Sequence, residues 1–180
     1  MIRQKFLFLG SIIGGLLLPV FLLNGLYAFS DSFGIQEILT KKEAPSFSLK
    51  DLDGKEILLS EMKGKPFLLF FWGSFCPSCK EDIVLLQKFA QQMKDELRIF
   101  TIAVDGEKEK RVRRIVRDLR ITLPVLLDPG EKIARLYGVR MIPTAFLIDQ
   151  EGILRGMVVG QRDWCKENAF YEIKALLNLR

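Results

Sequence analysis

The sequence predicts an α/β protein whose mixed central sheet is covered by helices on both faces. Continuous apolar runs, typical of buried strands, alternate with stretches whose apolar residues recur at helical spacing. A strand–turn–strand pattern precedes the first of these runs, and a second hairpin followed by a final helix closes the chain. Strands that alternate with helices in this way indicate a sheet with helices packed on it.

Residues 1–30 are predicted to be a signal-anchor helix. Arg3 and Lys5 precede an uncharged apolar run over 6–23, and at about 1.5 Å per residue this run nearly spans a hydrocarbon core of about 30 Å. The basic start predicts a cytoplasmic N-terminus and an exported remainder. Small residues within 28–30 also fit a signal peptide cut after Ser30, so an anchored domain and a secreted or periplasmic one both remain open. Disulfides persist in either location.

The exported part is predicted to begin with a linker at 31–44, followed by one domain at 45–180. Its first element is a β-hairpin extension at 47–59, centred on Asp53-Gly54, a dipeptide that favours a tight turn. The apolar run PFLLFFW at 66–72 is typical of a buried central strand because it has no polar interruption.

Helices and strands then alternate to the end of the chain. Apolar residues spaced by three and four predict an amphipathic helix at 77–96 and a second helix around 112–119. The other predicted elements are strands at 98–104 and 123–128, a short helix at 131–137, a hairpin of strands at 143–149 and 153–159, and a helix at 163–179.

The composition excludes several kinds of site. The chain has no histidine, which rules out Ser-His-Asp and Cys-His nucleophiles, His-containing zinc sites and a haem attached at C-x-x-C-H. The net charge of +5 is modest and gives no reason to expect a nucleic-acid partner. The basic segment at 108–120 is interpreted as the solvated face of a packed helix, with contact to anionic lipid or an acidic partner as the alternative.

Two cysteines lie where the buried strand meets the next helix, in FFWGSFCPSCKED at 70–82. A zinc site needs about four ligands, and beyond this pair only Cys165 remains, so we expect no metal. A purely structural disulfide across so small a loop would stabilise little. A redox pair fits better, because Cys76 would cap the helix with Pro77 at its first position, where the helix dipole stabilises a thiolate. Cys79, one turn later, is placed to attack a mixed disulfide formed at the first cysteine.

These residues carry a family resemblance. FFWGSFCPSCKED, followed by YGVRMIPTAFLID, resembles the active site and cis-proline loop of thioredoxin-like proteins. The preceding APSFSLKDLDGKEILLSEMKGKP resembles the N-terminal hairpin of the membrane-anchored TlpA-like group, which includes cytochrome c maturation reductases. The resemblance covers roughly residues 44–178 and implies a thioredoxin-like fold without a cofactor. It also implies that Cys76 attacks substrate disulfides and that Cys79 resolves the mixed disulfide.

The resemblance implies a substrate-binding surface around the cysteines. Trp72 would be the aromatic residue packed beside the pair, and Pro77 lies between the two thiols in sequence. Pro143 would be the cis-proline opposite them, exposing the Ile142 backbone to an extended substrate strand. Ile142 before the proline resembles the reducing thioredoxins more than the strongly oxidising branch.

Asp82 is a candidate for proton exchange. Thioredoxins proper keep a buried acid two residues before the tryptophan, where this chain has Phe70. In the TlpA-like group a carboxylate three residues after the second cysteine can take over, and Asp82 holds that position on the helix face of Cys79. Two interpretations stay open: a proton shuttle for Cys79, or a solvated first-turn acid favoured by the dipole. Glu81 is expected to point away.

We expect an extracytoplasmic thiol–disulfide oxidoreductase that passes electrons from a membrane donor to protein disulfides, such as those of apocytochrome c. A disulfide oxidant or isomerase of exported proteins is the alternative. A copper-carrying thioredoxin-like module is disfavoured because C-x-x-x-C and histidine are absent, and a peroxiredoxin because Gly73 stands where its threonine would be. Cys165 is expected to be semi-buried in the last helix, or else a free thiol, and the neighbouring Trp164 to be core or interface packing.

Overall fold

The computed structural model describes residues 32–94 and 96–179. The membrane segment predicted at 1–30 lies outside the described residues. Within the two described ranges, no helix combines the length and the apolar character that crossing a membrane requires.

The sheet contains both parallel and antiparallel neighbours. Its strands are β1 (Gln36–Glu43), β2 (Ser48–Asp51), β3 (Glu56–Leu58), β4 (Phe67–Trp72), β5 (Arg98–Ala103), β6 (Val125–Leu127), β7 (Thr144–Ile148) and β8 (Ile153–Val159). The helices are α1 (Pro77–Met93), α2 (Glu109–Asp118), α3 (Lys132–Leu136) and α4 (Glu167–Leu177). The strand order is β1-β8-β7-β4-β5-β6-β2-β3, in which β4, β5 and β6 run parallel and the other neighbours antiparallel.

Strand β4 lies inside the sheet, and every one of its side chains is buried. Because side chains alternate along a strand, alternate residues from Leu68 to Trp72 pack against α1, α2 and α4. Those from Phe67 to Phe71 face the opposite way and pack against α3 and the β2–β3 hairpin. The predicted α/β class, with a mixed sheet covered on both faces and an N-terminal hairpin, is confirmed.

The linker predicted at 31–44 is wrong for most of its length, because β1 occupies it and pairs antiparallel with β8. Strand β1 lies at the edge of the sheet, its side chains are mostly exposed, and Leu39 is 90% exposed. An edge strand without a buried face lacks the apolar alternation that identifies strands in a sequence. Its place is set instead by backbone pairing, which shifts register between Glu37 and Lys42.

Two helix boundaries differ from the prediction. Helix α1 ends at Met93, because Lys94 turns left-handed at φ 47° while its N–H still bonds to Ala90. Helix α4 begins at Glu167, which leaves Cys165 in a preceding turn where the Asp163 carboxylate accepts its N–H at 3.0 Å. The prediction that Cys165 is a semi-buried helix residue is therefore wrong, since this thiol is exposed.

The basic segment forms α2 and the turn before it. Val112 and Ile115 face the core, while the lysine and arginine side chains of this segment are exposed or half-buried. The segment is therefore a packed helix with a basic outer face, and this exposure fits both interpretations of that face.

Candidate active site

The cysteine pair lies where β4 passes into α1. Cys76 has extended backbone angles and caps the helix, with Pro77 as its first residue. Its sulfur accepts a hydrogen bond from the backbone N–H of Cys79 at 3.2 Å and lies 3.4 Å from the Ser78 hydroxyl. The two cysteines form a disulfide, with their Cα atoms 5.3 Å apart. The site is thus described in its oxidised form.

The two cysteines differ in their exposure to solvent. Cys76 keeps 7% of its surface exposed to solvent, whereas Cys79 is completely buried. The N-terminus of α1 adds unpaired N–H groups and the positive end of the helix dipole beside Cys76. An incoming molecule therefore meets Cys76 first, at the position where a thiolate is best stabilised.

A buried hydrogen-bonded pair anchors the loop that leads to Cys76. Ser74 donates from its backbone N–H and its hydroxyl to the Asp105 carboxylate, at 3.0 and 2.5 Å. Asp105 follows β5, the parallel neighbour of β4, so the two strands end at the same edge of the sheet. The sequence interpretation missed this pair. The available signal was an acid directly after a buried strand, at the sheet edge where the cysteine loop also emerges.

Gly73 allows two side chains to cover the same loop. A Cβ at this position would lie 2.7 Å from the Phe75 ring and 3.0 Å from Ile142 Cδ1. Glycine therefore lets the half-exposed Phe75 and the residue before Pro143 approach the backbone beside the cysteines. The sequence had assigned Phe75 no role.

Trp72 lies in the interior and does not form part of a substrate surface. Its predicted role in contacting substrate is therefore wrong. Its side chain is completely buried and belongs to the same apolar cluster as both cysteines. Within the described ranges its indole N–H has no hydrogen-bond partner. The reason is its position as the last residue of β4, on the face that α1 covers. Trp72 supports the pair from the interior.

The second loop at the site contains Ile142 and Pro143, which are joined by a cis peptide bond. The Pro143 carbonyl accepts the N–H of Gly160 at 2.8 Å, and the Thr144 hydroxyl donates to the Met141 carbonyl at 2.8 Å. These bonds hold the loop on both sides of the proline. Between this loop and the cysteine loop lies a pocket of about 150 Å³. Its lining residues are Phe75, Val104, Glu131, Ala134, Val139, Arg140, Met141 and Ile142. The structure thus brings Ile142 next to the cysteine loop.

Asp82 is completely buried, so its interpretation as a solvated first-turn acid is wrong. Its carboxylate accepts the backbone N–H of Arg162 at 3.1 and 3.2 Å and the indole N–H of Trp164 at 3.4 Å. Burial raises the pKa of Asp82 from 3.8 to about 6, against a partial lowering by these hydrogen bonds. Glu81 is exposed, as expected, and accepts a hydrogen bond from Gln161 at 2.6 Å.

No group of Asp, Glu and Cys side chains in the described part of the chain is arranged to hold a metal ion. The chemistry that this geometry supports is exchange between the disulfide and external thiols. Asp82 follows Cys79 by three residues on the same helix, and both side chains are completely buried.

This chain is similar to known proteins. The model of the AhpC/TSA family matches residues 40–157, which include both cysteines and the cis-proline loop. The thiol-disulfide oxidoreductase ResA of Bacillus anthracis is 36% identical over 122 residues, which is 67% of this chain and 70% of that protein. The chain belongs to the AhpC/TSA family.

Solved structures place this AhpC/TSA member among thioredoxin-like folds. A thiol:disulfide interchange protein of the thioredoxin family from Chlorobium tepidum has a TM-score of 0.66 at 27% identity, over 78% of this chain and 99% of that one. The exposed lipoprotein thioredoxin Etrx1 of Streptococcus pneumoniae has a TM-score of 0.64 at 32% identity, over 73% and 99%. The predicted fold is confirmed, and the protein is a thiol–disulfide oxidoreductase.

Proposed function

We propose that this protein reduces disulfide bonds of other proteins on the extracytoplasmic side of a membrane. The observation that carries the proposal is the Cys76–Cys79 disulfide at the start of α1, in which Cys76 keeps 7% of its surface exposed and Cys79 is completely buried. That asymmetry suits a reaction in which the outer thiol attacks and the inner one resolves. The similarity to ResA supports this reaction type.

In the reducing direction, the Cys76 thiolate attacks a substrate disulfide and one substrate sulfur leaves as a thiolate that takes up a proton. Cys79 then loses its proton and attacks Cys76 of the mixed disulfide. The second substrate sulfur leaves as a thiolate and is protonated in turn. Two electrons have passed to the substrate, and the enzyme ends in the disulfide form that the structure describes.

Asp82 is the proposed acceptor of the Cys79 proton. It lies three residues later on the same helix face, and both side chains are completely buried. A general base works best when its pKa is near the operating pH, and burial raises the pKa of Asp82 to about 6. The enclosed Cys79 has little access to solvent bases, which makes a buried carboxylate useful at this step.

The proposed substrate surface comprises Pro77, Phe75 and the cis-proline loop. An extended substrate strand would pair with the backbone of Ile142 beside Pro143, with its cysteine facing Cys76. The exposed position of Pro77 and the pocket between the two loops support this placement.

The physiological setting is part of the same proposal. The apolar run within the first thirty residues supports attachment to a membrane, where a membrane protein would supply the electrons. Exported compartments oxidise thiols, so targets that need free thiols there, such as apocytochrome c, require a reductase. The similarity to a protein described as an exposed lipoprotein thioredoxin supports the location.

Redox titration of the full-length protein tests the direction. The Cys76–Cys79 pair is equilibrated with glutathione or dithiothreitol buffers, in a Cys165→Ser background that removes the exposed third thiol. The reduction potential of a reductase is expected at about −270 mV, and that of a strong oxidant at about −120 mV. A potential above about −150 mV would contradict the reductase and favour the oxidant or isomerase.

A further inference from the structure

The segment before β1 packs against the core in a way that its sequence does not reveal. Phe33 is only 3% exposed, and its ring meets Trp164 edge-on at a centroid distance of 5.0 Å. Its backbone N–H donates to the Glu172 carboxylate on α4 at 2.8 Å. This residue is therefore held from two sides.

Both residues that donate to Asp82 also contact Phe33. Arg162 gives its backbone N–H to the Asp82 carboxylate at 3.1 Å and its Nε–H to the Phe33 carbonyl at 3.0 Å. Trp164 gives its indole N–H to Asp82 at 3.4 Å and packs its ring on Phe33. Two independent routes thus connect Phe33 to the buried acid.

The next residue, Gly34, brings the segment close to Arg162. Gly34 has φ +85°, and a Cβ on it would lie 3.2 Å from Nε and Nη2 of Arg162. A larger residue would be strained and would push the guanidinium away. The contact between Arg162 and the Phe33 carbonyl depends on this approach.

Phe33 completes an aromatic enclosure around Trp164. The other neighbours of that indole are Phe70 at 6.3 Å and Phe89 at 5.9 Å between centroids, and Trp164 is 1% exposed. Removing the Phe33 ring takes away its edge-on contact with the indole at 5.0 Å. The indole is one of the groups that keep water from Asp82.

The charged groups that act on Asp82 come from two elements. Arg162, in the loop after β8, favours its ionised form, and Glu81, on the same helix as Asp82, disfavours it. Residues 32–35, the part of this segment that the structure describes before β1, carry no charged side chain, and the Glu172 carboxylate accepts the Phe33 N–H. An effect of this segment on the acid therefore acts through packing and exclusion of water.

We infer that Phe33 is a positioning residue for proton transfer at the disulfide, because it fixes Trp164 and Arg162 against Asp82 and shields that carboxylate. The inference rests on the proposed role of Asp82 as acceptor of the Cys79 proton. It gives the segment before β1 an influence on the chemistry of the cysteine pair.

The test separates the two thiol steps. Full-length protein in the Cys165→Ser background is reduced and mixed with dithiobis(nitrobenzoate), which releases one coloured thiolate on attack by Cys76 and a second when Cys79 closes the disulfide. The rate of the second release is measured against pH for Phe33→Ala, Phe33→Leu and the control Leu39→Ala. Leu39 lies on the adjacent strand and is 90% exposed.

In Phe33→Ala we expect the midpoint of the pH dependence of the second-release rate to move from near pH 6 toward 3.8, the ordinary pKa of an aspartate. The reason is that burial is the main cause of the raised pKa of Asp82. The plateau rate falls as well, since a weaker base accepts the proton less readily. The first release and the Leu39→Ala profile stay unchanged. If Phe33→Ala does not fold, Phe33→Leu retains the apolar contact and is expected to show a smaller shift of the same sign.

Asp82→Asn distinguishes the two proposals. If Asp82→Asn leaves the rate of the second release unchanged at every pH, Asp82 is not the proton acceptor. The proposed role of Asp82 and the inference on Phe33 are then both wrong. If Asp82→Asn removes the pH dependence of the second release while folded Phe33 variants keep the wild-type midpoint of that dependence, only the inference on Phe33 is overturned. As an independent measurement, the indole N–H resonance of Trp164 should titrate with Asp82 and move in Phe33→Leu. An unmoved resonance also contradicts the inference.

Discussion

The backbone N–H of Arg162 bonds both carboxylate oxygens of Asp82, so a loop eighty residues along the chain holds the acid beside the redox pair. An acid in the first turns of a helix ordinarily faces water. Here the loop and Trp164 enclose it and keep it hydrogen-bonded. Burial by this loop and by Trp164 raises the pKa of Asp82 to about 6, although the hydrogen bonds themselves partly lower it.

Burial of Asp82 is expected to reduce stability at neutral pH. A pKa raised from 3.8 to about 6 means that the folded state favours the protonated acid. The contribution of protonated Asp82 to the free energy of unfolding is fully present below pH 3.8 and is lost as pH rises through about 6. The shift corresponds to roughly 3 kcal/mol. Asp82→Asn keeps an acceptor oxygen and should raise the free energy of unfolding by about 1–2 kcal/mol near pH 7, a gain that disappears near pH 4.

Denaturant titration at both pH values measures this effect, with Glu81→Gln as the matched control. Glu81 is the neighbouring acid on the same helix, but it is exposed. An equal gain in both variants would contradict a specific effect of burial.

Asp105 is expected to control the geometry of the cysteine loop. Asp105→Ala leaves the buried Ser74 N–H and hydroxyl without their acceptor, which costs about 1–3 kcal/mol. Because Ser74 is two residues from Cys76, the first release of thionitrobenzoate should also slow. Ser74→Ala, which loses only the hydroxyl bond, should show a smaller loss of stability and rate. Unchanged stability in Asp105→Ala would show that the pair does not anchor the loop.

Phe75 is expected to contribute to binding of protein substrates. Its ring is 49% exposed beside Cys76 and lines the pocket near Met141. Loss of a buried aromatic contact at an interface costs about 1–2 kcal/mol, so Phe75→Ala should raise KM for a disulfide-containing protein about ten-fold. The rate with a small disulfide should be unaffected. Tyr171→Ala, at an exposed aromatic on α4, serves as the control, and a matching KM increase there would remove the assignment.

A side chain at Gly73 is expected to displace the two loops beside the cysteines. In Gly73→Ala the new Cβ meets the Phe75 ring and Ile142, so both loops must move apart. We expect a rise in KM for protein substrates without loss of the α1 fold. A crystal structure or the protein-substrate kinetics would check this, and wild-type KM in Gly73→Ala would contradict the close approach.

The local features of the site are those that the sequence predicts well. The apolar run of β4, the helix start at Pro77 and the cysteine pair depend on residues close together in the chain. The hairpin at β2 and β3 likewise follows from its turn residues. In each case the physical cause is a local propensity or a short-range contact that involves only a few neighbouring residues.

The misassigned features depend on partners far along the chain. Strand β1 has no buried face, and only its pairing with β8 makes it a strand. The sequence predicts a helix from about Asp163, but the helix begins at Glu167, after a turn in which the Asp163 carboxylate accepts the Cys165 N–H. The Ser74–Asp105 pair joins the ends of two parallel strands, which a linear pattern does not show.

The sequence by itself determined the sheet-and-helix class, the redox cysteines and the order of the elements after β1, because periodicity and capping act over short distances. Only the tertiary structure decided that Asp82 is enclosed, that Trp72 is interior and that Phe33 contacts the residues holding the acid. Those properties come from burial and hydrogen bonds between segments about eighty or more residues apart. Folding alone brings such segments together, and with them the electrostatic environment of the site.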